Sequence, residues 1–252
     1  MKIALHSDLH LEHFFLKTGF LENDDFDVLV LAGDIVNTPT AHRLEMFRTL
    51  TDKPIIYIPG NHEYYYDSIE HADKMFENVC NEFDIHFAKN RIIRIGDTAF
   101  ICCVGWSDMK SYEDRPHESI SIPLCDMVAD FRLIKNHTVD EMINLAELDK
   151  NFIINSLEMI RDTSPNLKTV IATHFSPLEA YNNDKFQISH ISSYFANNWN
   201  DIVYEYEPAA WLYGHTHWCK NGAVYQTKVA SNQAGYGKEH VNGYDPNFVI
   251  EV

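Results

Sequence analysis

The chain has 252 residues, 45% of them hydrophobic, and a formal net charge of −17. That length suits one α/β domain, or one domain carrying an insertion, with a large buried core, and the ordinary composition excludes wholesale disorder. The acidity excludes a broad grip on nucleic-acid backbones or anionic membranes, but it permits a site made locally positive by bound cations.

The opening "MKIALHSD" has too short an apolar stretch for a signal peptide, and no run of 18 apolar residues occurs, so no membrane span is expected. The five cysteines, Cys80, Cys102, Cys103, Cys125 and Cys219, are odd in number and form no CxxC. They read as reduced thiols in a cytoplasmic protein.

In chain order, near-continuous apolar runs of the kind buried on both faces of a sheet occur at 2–7, 27–34, 54–61, 98–106, 168–174 and 209–215. "RIIRI" (91–95) and "NFVIEV" (247–252) predict further strands, and 222–231 holds room for two short ones. Between them, 67–83 opens with Asp67 and Glu70 at capping-box spacing and continues at helical intervals. A second helix follows the box of Thr138 and Glu141 toward Arg161, and a shorter one is expected around 126–135. Strands alternating with helices predict an α/β sandwich. The chain reads as a single domain, 1–252, with an insertion at about 107–162 that caps one end.

Nearly every strand run ends in a residue able to hold a metal. The first leads to Asp8 and His10, the second to Asp34, the third to Asn61 and His62, the fifth to His174, and the sixth to His215 and His217. Carboxyl ends of strands converge on one crevice in α/β sheets, so these eight residues are expected to meet. A single such residue is routinely a turn former or a satisfied structural histidine; eight at strand ends are not explained that way. Mixed carboxylate, amide and imidazole donors suit Mn, Fe, Zn, Co or Ni, with Mn favoured. They are too many for one tetrahedral zinc, and enough for two ions if one carboxylate bridges. Two divalent metals roughly 3.5–4 Å apart can drive an in-line displacement at phosphorus.

Taken together, "SDLH" (7–10), "GD" (33–34), "GNHE" (60–63), "TH" (173–174) and "GHTH" (214–217) resemble the five ordered blocks of the calcineurin-like metallophosphoesterase superfamily. The resemblance implies a double β-sheet sandwich flanked by helices in four layers. It implies that Asp8, His10 and His217 bind one metal, that Asn61, His174 and His215 bind the other, and that Asp34 bridges them. A bridging hydroxide would be the nucleophile, and His62 would contact the phosphate or protonate the leaving oxygen. The protein Ser/Thr phosphatase branch carries Asp-Arg-Gly after the bridging aspartate, whereas this chain reads "GDIVNTP"; "GHTH" fits the smaller bacterial-type phosphoesterases and phosphodiesterases better. Many relatives carry Asn-Pro-Arg-Gly-Tyr near the C-terminus; here "NQAGY" (232–236) lacks the Pro and the Arg.

For the substrate, Arg132 is a candidate phosphate clamp, with a surface ion pair as the favoured alternative. Trp106, Tyr64 and Phe131 are candidates for an aromatic wall, with core packing favoured. His13, His42, His71, His86, His117, His137, His190 and His240 have no convergent context. The expected activity is metal-dependent hydrolysis of phosphodiester or small phosphoester bonds, with nucleotides as the substrate class, no extended nucleic-acid binding and an oligomeric state left open. A protein or small-molecule phosphomonoesterase is the alternative, and a non-catalytic metal- and nucleotide-binding regulator is a third reading.

Overall fold

A computed structural model of the chain describes residues 1–16, 19–111, 126–186, 191–239, 241 and 243–252. Cys125, His117, His190, His240 and residues 112–125 of the expected insertion lie outside the described residues.

Two sheets carry the fold. The first contains β1 (Lys2–His6), β2 (Val28–Ala32), β3 (Ile55–Ile58), β4 (His86–Phe87) and β11 (Val249–Glu251), in the order β11-β1-β2-β3-β4. The second contains β5 (Arg91–Ile95), β6 (Thr98–Cys102), β7 (Lys168–Ala172), β8 (Ala210–Tyr213), β9 (Gly222–Val224) and β10 (Thr227–Ser231), in the order β5-β6-β7-β8-β10-β9. β1 to β4 pair in parallel, as do β6, β7, β8 and β10; the antiparallel strands sit at the edges.

The period of two along each strand divides the core. Ile3, Leu5, Val28, Val30, Ile56 and Ile58 meet Phe100, Val170, Ala210 and Leu212 in one cluster between the sheets. Their alternates Ala4, Leu29, Leu31, Ile55 and Tyr57 join a second cluster, and Ile101, Ile171, Trp211 and Tyr213 a third. Strands buried on both faces lose their polar alternation, which is why the runs read as continuously apolar. With helices over the outer clusters, this is the four-layer sandwich expected from sequence.

The helix expected at 67–83 is α2 (Ile69–Glu82), following a short α1 (Glu45–Leu50). Its N-cap is Ser68, which accepts from the His71 amide, rather than Asp67. Asp67 sits one residue too early and instead accepts from the Ser68 amide at 2.8 Å. Within the span 126–135, where a helix is expected, α3 covers Asp130–Leu133, and Asp126 and Met127 are also helical. Thr138 caps α4 (Val139–Thr163) as expected, accepting from the Glu141 amide at 3.1 Å. Met142 and Ala146 of α4 join the cluster that includes α2, while Ile153, Leu157 and Ile160 pack on the outer face of the second sheet. Two further short helices, α5 (Ser192–Phe195) and α6 (Asn200–Tyr206), had no clear periodic signal.

Candidate metal centre

The five strands β1, β2, β3, β7 and β8 end on the same side of the sandwich, and the residues just beyond them meet at the seam between the sheets. The turns that deliver them are tight. Asp8, His10, Asp34, His215 and His217 all have positive φ, between 46° and 72°. Asp and His are among the few side chains that tolerate this region, and each residue held there costs about 1 kcal/mol or more. Glycines clear the space behind them. A Cβ on Gly33, at φ +84°, would stand 2.4 Å from His174 Nδ1, and one on Gly60 would stand 2.3 Å from Asp34 Oδ1.

Three groups of side chains bring potential ligand atoms within 4.8 Å of one another: Asp8, His10 and His217; His10, Asp34 and His62; and Asp34, His174 and His215. Asn61 joins the third, its Oδ1 lying 3.0 Å from His174 Nε2. All eight residues singled out from the strand ends are thus brought together.

The histidines are oriented from behind. His10 Nδ1 donates to Glu12 Oε1 at 3.1 Å, His217 Nδ1 to Glu239 Oε2 at 2.5 Å, and His174 Nδ1 to the Ala32 carbonyl at 2.9 Å. Such supports fix the tautomer and aim Nε2 inward, as in metal-ligating histidines. The inward atoms fit a cation. His10 Nε2 and His217 Nε2 face each other at 3.0 Å, close enough to share one cation, or a proton in its absence. His215 Nε2 is buried with no hydrogen-bond partner, an arrangement costly for a polar atom unless something binds it. Asp8 Oδ1 and Asp34 Oδ1 lie 3.4 Å from His217 Nε2 and His174 Nε2. The donor set suits borderline divalent metals.

Electrostatics divides the imidazoles. Burial pushes His10 and His215 down toward the neutral form. Burial acts the same way on His217 and His174, but Asp8 and Glu239 outweigh it and raise His217 to about 10, while Asp34 and Asp8 raise His174 to about 9.

Sequence reasoning passed over four buried or half-buried supports. Glu12 Oε1 accepts from both His10 Nδ1 and His62 Nδ1, the latter at 2.9 Å. Glu63 collects the amides of Asp34 (2.9 Å), Ile35 (2.8 Å) and Gly60 (2.7 Å) and the Tyr57 hydroxyl (2.8 Å), tying the turns after β2 and β3 together. Burial and the nearby Asp34 raise its carboxyl to about 7. Asp130 accepts from Asn61 Nδ2, and Tyr236 places its hydroxyl 3.1 Å from His62 Nε2. Glu12 and Glu63 were visible as the residues following "DLHL" and "GNH", and Tyr236 ends the quoted "NQAGY"; Asp130 had only its place beside Phe131 as a signal.

A cleft of about 700 Å³ opens over the cluster, lined in part by Asp34, Asn61, His62, His215, His217, Tyr65, Trp218, Phe195, Tyr236 and Lys185. The candidate substrate residues lie elsewhere. Trp106 and Tyr64 are fully buried, Trp106 against Phe175 and His137, and the Tyr64 hydroxyl bonds Asp73. Phe131 is half-buried and stacks on His137 with centroids 5.5 Å apart. Arg132 is exposed and donates to the Asp126 carbonyl. None of the four lines the cleft; the aromatic wall and the arginine clamp give way to core packing and a surface contact.

Among proteins of known sequence, the chain is 29% identical over 274 residues to the uncharacterized protein L509 of Acanthamoeba polyphaga mimivirus, covering 98% of this chain and 95% of that one. Its fold is similar to the crystal structure of the phosphopantetheinyl hydrolase PptH from Mycobacterium tuberculosis, with a TM-score of 0.72, 17% sequence identity, and coverage of 93% of this chain and 89% of that one. Residues 1–219, a span that runs from β1 past His217, match the calcineurin-like phosphoesterase family. The blocks, the sandwich and the match agree: this chain belongs to the calcineurin-like phosphoesterase family and is a metal-dependent phosphoester hydrolase.

Proposed function

We propose that the protein is a dinuclear phosphohydrolase cleaving phosphodiester or small phosphoester bonds, with nucleotides as its substrate class. The reading is carried by Asp34, whose carboxylate belongs to two donor groups, one with His174 and His215 and one with His10 and His62. Asp8, His10 and His217 would hold one ion, Asn61, His174 and His215 would hold the other, and Asp34 would serve both. We favour Mn, with Fe, Zn, Co and Ni as alternatives, since the mixed donors accommodate each of them. When bound, such ions activate water near neutral pH and offset charge on phosphoryl oxygens.

The remaining work falls to side chains. Glu12 accepts a hydrogen bond from His62 Nδ1 and leaves Nε2 toward the cleft. Burial would favour neutral His62, but Asp34 and Glu12 outweigh it and raise its pKa, which suits a general acid for the leaving oxygen. Lys185 is the one Lys or Arg lining the cleft among the described residues. An anionic substrate therefore depends on the cations to be held at all. Tyr65, Phe195, Trp218 and Tyr236 offer aromatic faces that favour a base-bearing substrate over a simple phosphate.

The chain is read as one domain. The cap insertion is read at about 107–162, and within that span Ile153, Leu157 and Ile160 of α4 pack against the second sheet. Four cysteines, Cys80, Cys102, Cys103 and Cys219, are free, in keeping with a cytoplasmic protein. Among the described residues no helix is long and apolar enough to cross a membrane.

The test is hydrolysis of bis-p-nitrophenyl phosphate and p-nitrophenyl phosphate by metal-stripped protein, with and without Mn²⁺. Mn²⁺-dependent cleavage of the diester is the expected result. Cleavage of the monoester alone would shift the function to a phosphatase, and two bound metals with no turnover of either would point to a binding protein.

A further inference from the structure

We propose that Asp130 is a positioning residue that fixes which end of the Asn61 amide faces the metal centre. The inference rests on the dinuclear reading above. A side-chain amide has nearly the same shape in its two flipped orientations, so its neighbours alone decide which atom points where. On one side of Asn61 lies His174 Nε2, 3.0 Å from Oδ1; on the other lies Asp130 Oδ1, 2.9 Å from Nδ2. A carboxylate only accepts, so it can be met only by the amide NH₂, and the amide oxygen is thereby aimed at the ions.

Without Asp130 the amide loses the acceptor that holds its NH₂ on the far side. A flipped Asn61 would present NH₂, which has no lone pair for a cation, to the centre and turn its oxygen away, removing one of the donors assigned to this ion.

Asp130 is built for the task. It is 1% exposed and held by the Tyr65 hydroxyl at 2.9 Å and the Tyr194 hydroxyl at 2.5 Å. Both tyrosines line the cleft, and Asp130 stands on α3 in the capping segment. The cap thus reaches the metal centre through one carboxylate.

The experiment is calorimetric titration of Mn²⁺ into cation-free protein, with the melting temperature of each cation-free variant measured alongside. Wild type is expected to bind two ions. Asp130→Ala is expected to keep one at wild-type affinity and to weaken the other by about 10–100-fold, the usual effect of losing a support behind a ligand. Asp130→Asn, whose Oδ1 can still accept from Asn61 Nδ2, is expected to recover most of that loss. Should Asp130→Ala fail to fold, the reversed pair decides. Asn61→Asp alone sets two carboxylates side by side and should lose the second ion, while Asn61→Asp with Asp130→Asn restores a donor facing an acceptor and should regain it. Two ions bound at unchanged affinity by Asp130→Ala, or no recovery in the reversed pair, would overturn the role of Asp130 alone. Fewer than two ions in wild type would overturn the dinuclear reading and the proposal with it.

Discussion

In the donor set of Asp8, His10 and His217, both imidazoles donate hydrogen bonds from Nδ1 to carboxylates, Glu12 and Glu239. In the set of Asn61, His174 and His215, the corresponding supports are the Ala32 carbonyl behind His174 and the rings of Phe175, Tyr194 and Phe195 around His215. The first set is steadied by side chains and is the more negatively charged. Glu239, behind His217, has a side chain 42% exposed. The second is steadied by the backbone of β2, by core rings and by the Asp130 carboxylate behind Asn61. The first can be tuned by single substitutions; the second is lost only through its ligands or through Asp130.

Asp34 is the carboxylate proposed to serve both sides, so its removal should erase the contrast. Asp34→Ala is expected to lower Mn²⁺-dependent turnover by at least about 10³-fold, the scale of several kcal/mol of metal assistance, with metal content falling at both sets. Full activity in that variant would sink the shared-ligand assignment. His62→Ala should separate proton transfer from metal holding. A loss of about 10²–10⁴-fold in kcat is expected with metal content intact. Metal loss in this variant would make His62 a ligand.

The contrast itself is sharpened by Glu12→Gln and Glu239→Gln. The first should weaken the ion at Asp8, His10 and His217 by about 10–100-fold and also slow turnover through His62. The second should do less, because solvent can replace an exposed partner. Equal weakening of both ions by either variant would break the division into two sets. The smallest effect concerns acidity. Burial opposes protonation of His217 and His174, but the carboxylates beside them raise their pKa values to about 10 and 9 from 6.5. A raised histidine stabilises the folded, cation-free protein fully below about pH 6.5, and that contribution fades as pH climbs through 9 and 10. The melting temperature of cation-free protein should therefore decline over this range. Added Mn²⁺ should flatten the decline, since metal binding displaces those protons. Parallel declines with and without Mn²⁺ would argue that these imidazoles are not ligands.

The metal-bearing half of the cleft was legible because it is written locally: an apolar run, a glycine, then a donor. The strands were legible because burial on both faces strips their polar positions. The other half is written in pairings across the chain. Asn61 meets Asp130 69 positions away, and His62 meets Glu12 at a separation of 50. Neither pairing leaves a periodic trace. The aromatic residues singled out, Trp106, Tyr64 and Phe131, share the composition of the true cleft residues Trp218, Tyr65 and Phe195. Only the packing against Phe175 and His137 tells one group from the other. Asp67 was one position from the real cap at Ser68, an error of register that side-chain chemistry alone does not resolve.

The left-handed turns at Asp8, His10, Asp34, His215 and His217 bear on how such a protein would age in evolution. At these five positions one residue serves both as candidate ligand and as the bend, and the bend is what glycine would make without strain. Replacing a ligand there with glycine would relax the backbone in the same stroke that removes the chemistry. That relief is offset, because the Asp8 and Asp34 carboxylates accept from the buried His215 and His62 amides and glycine would leave those donors unmet, so losing such a residue costs the fold as well as the chemistry.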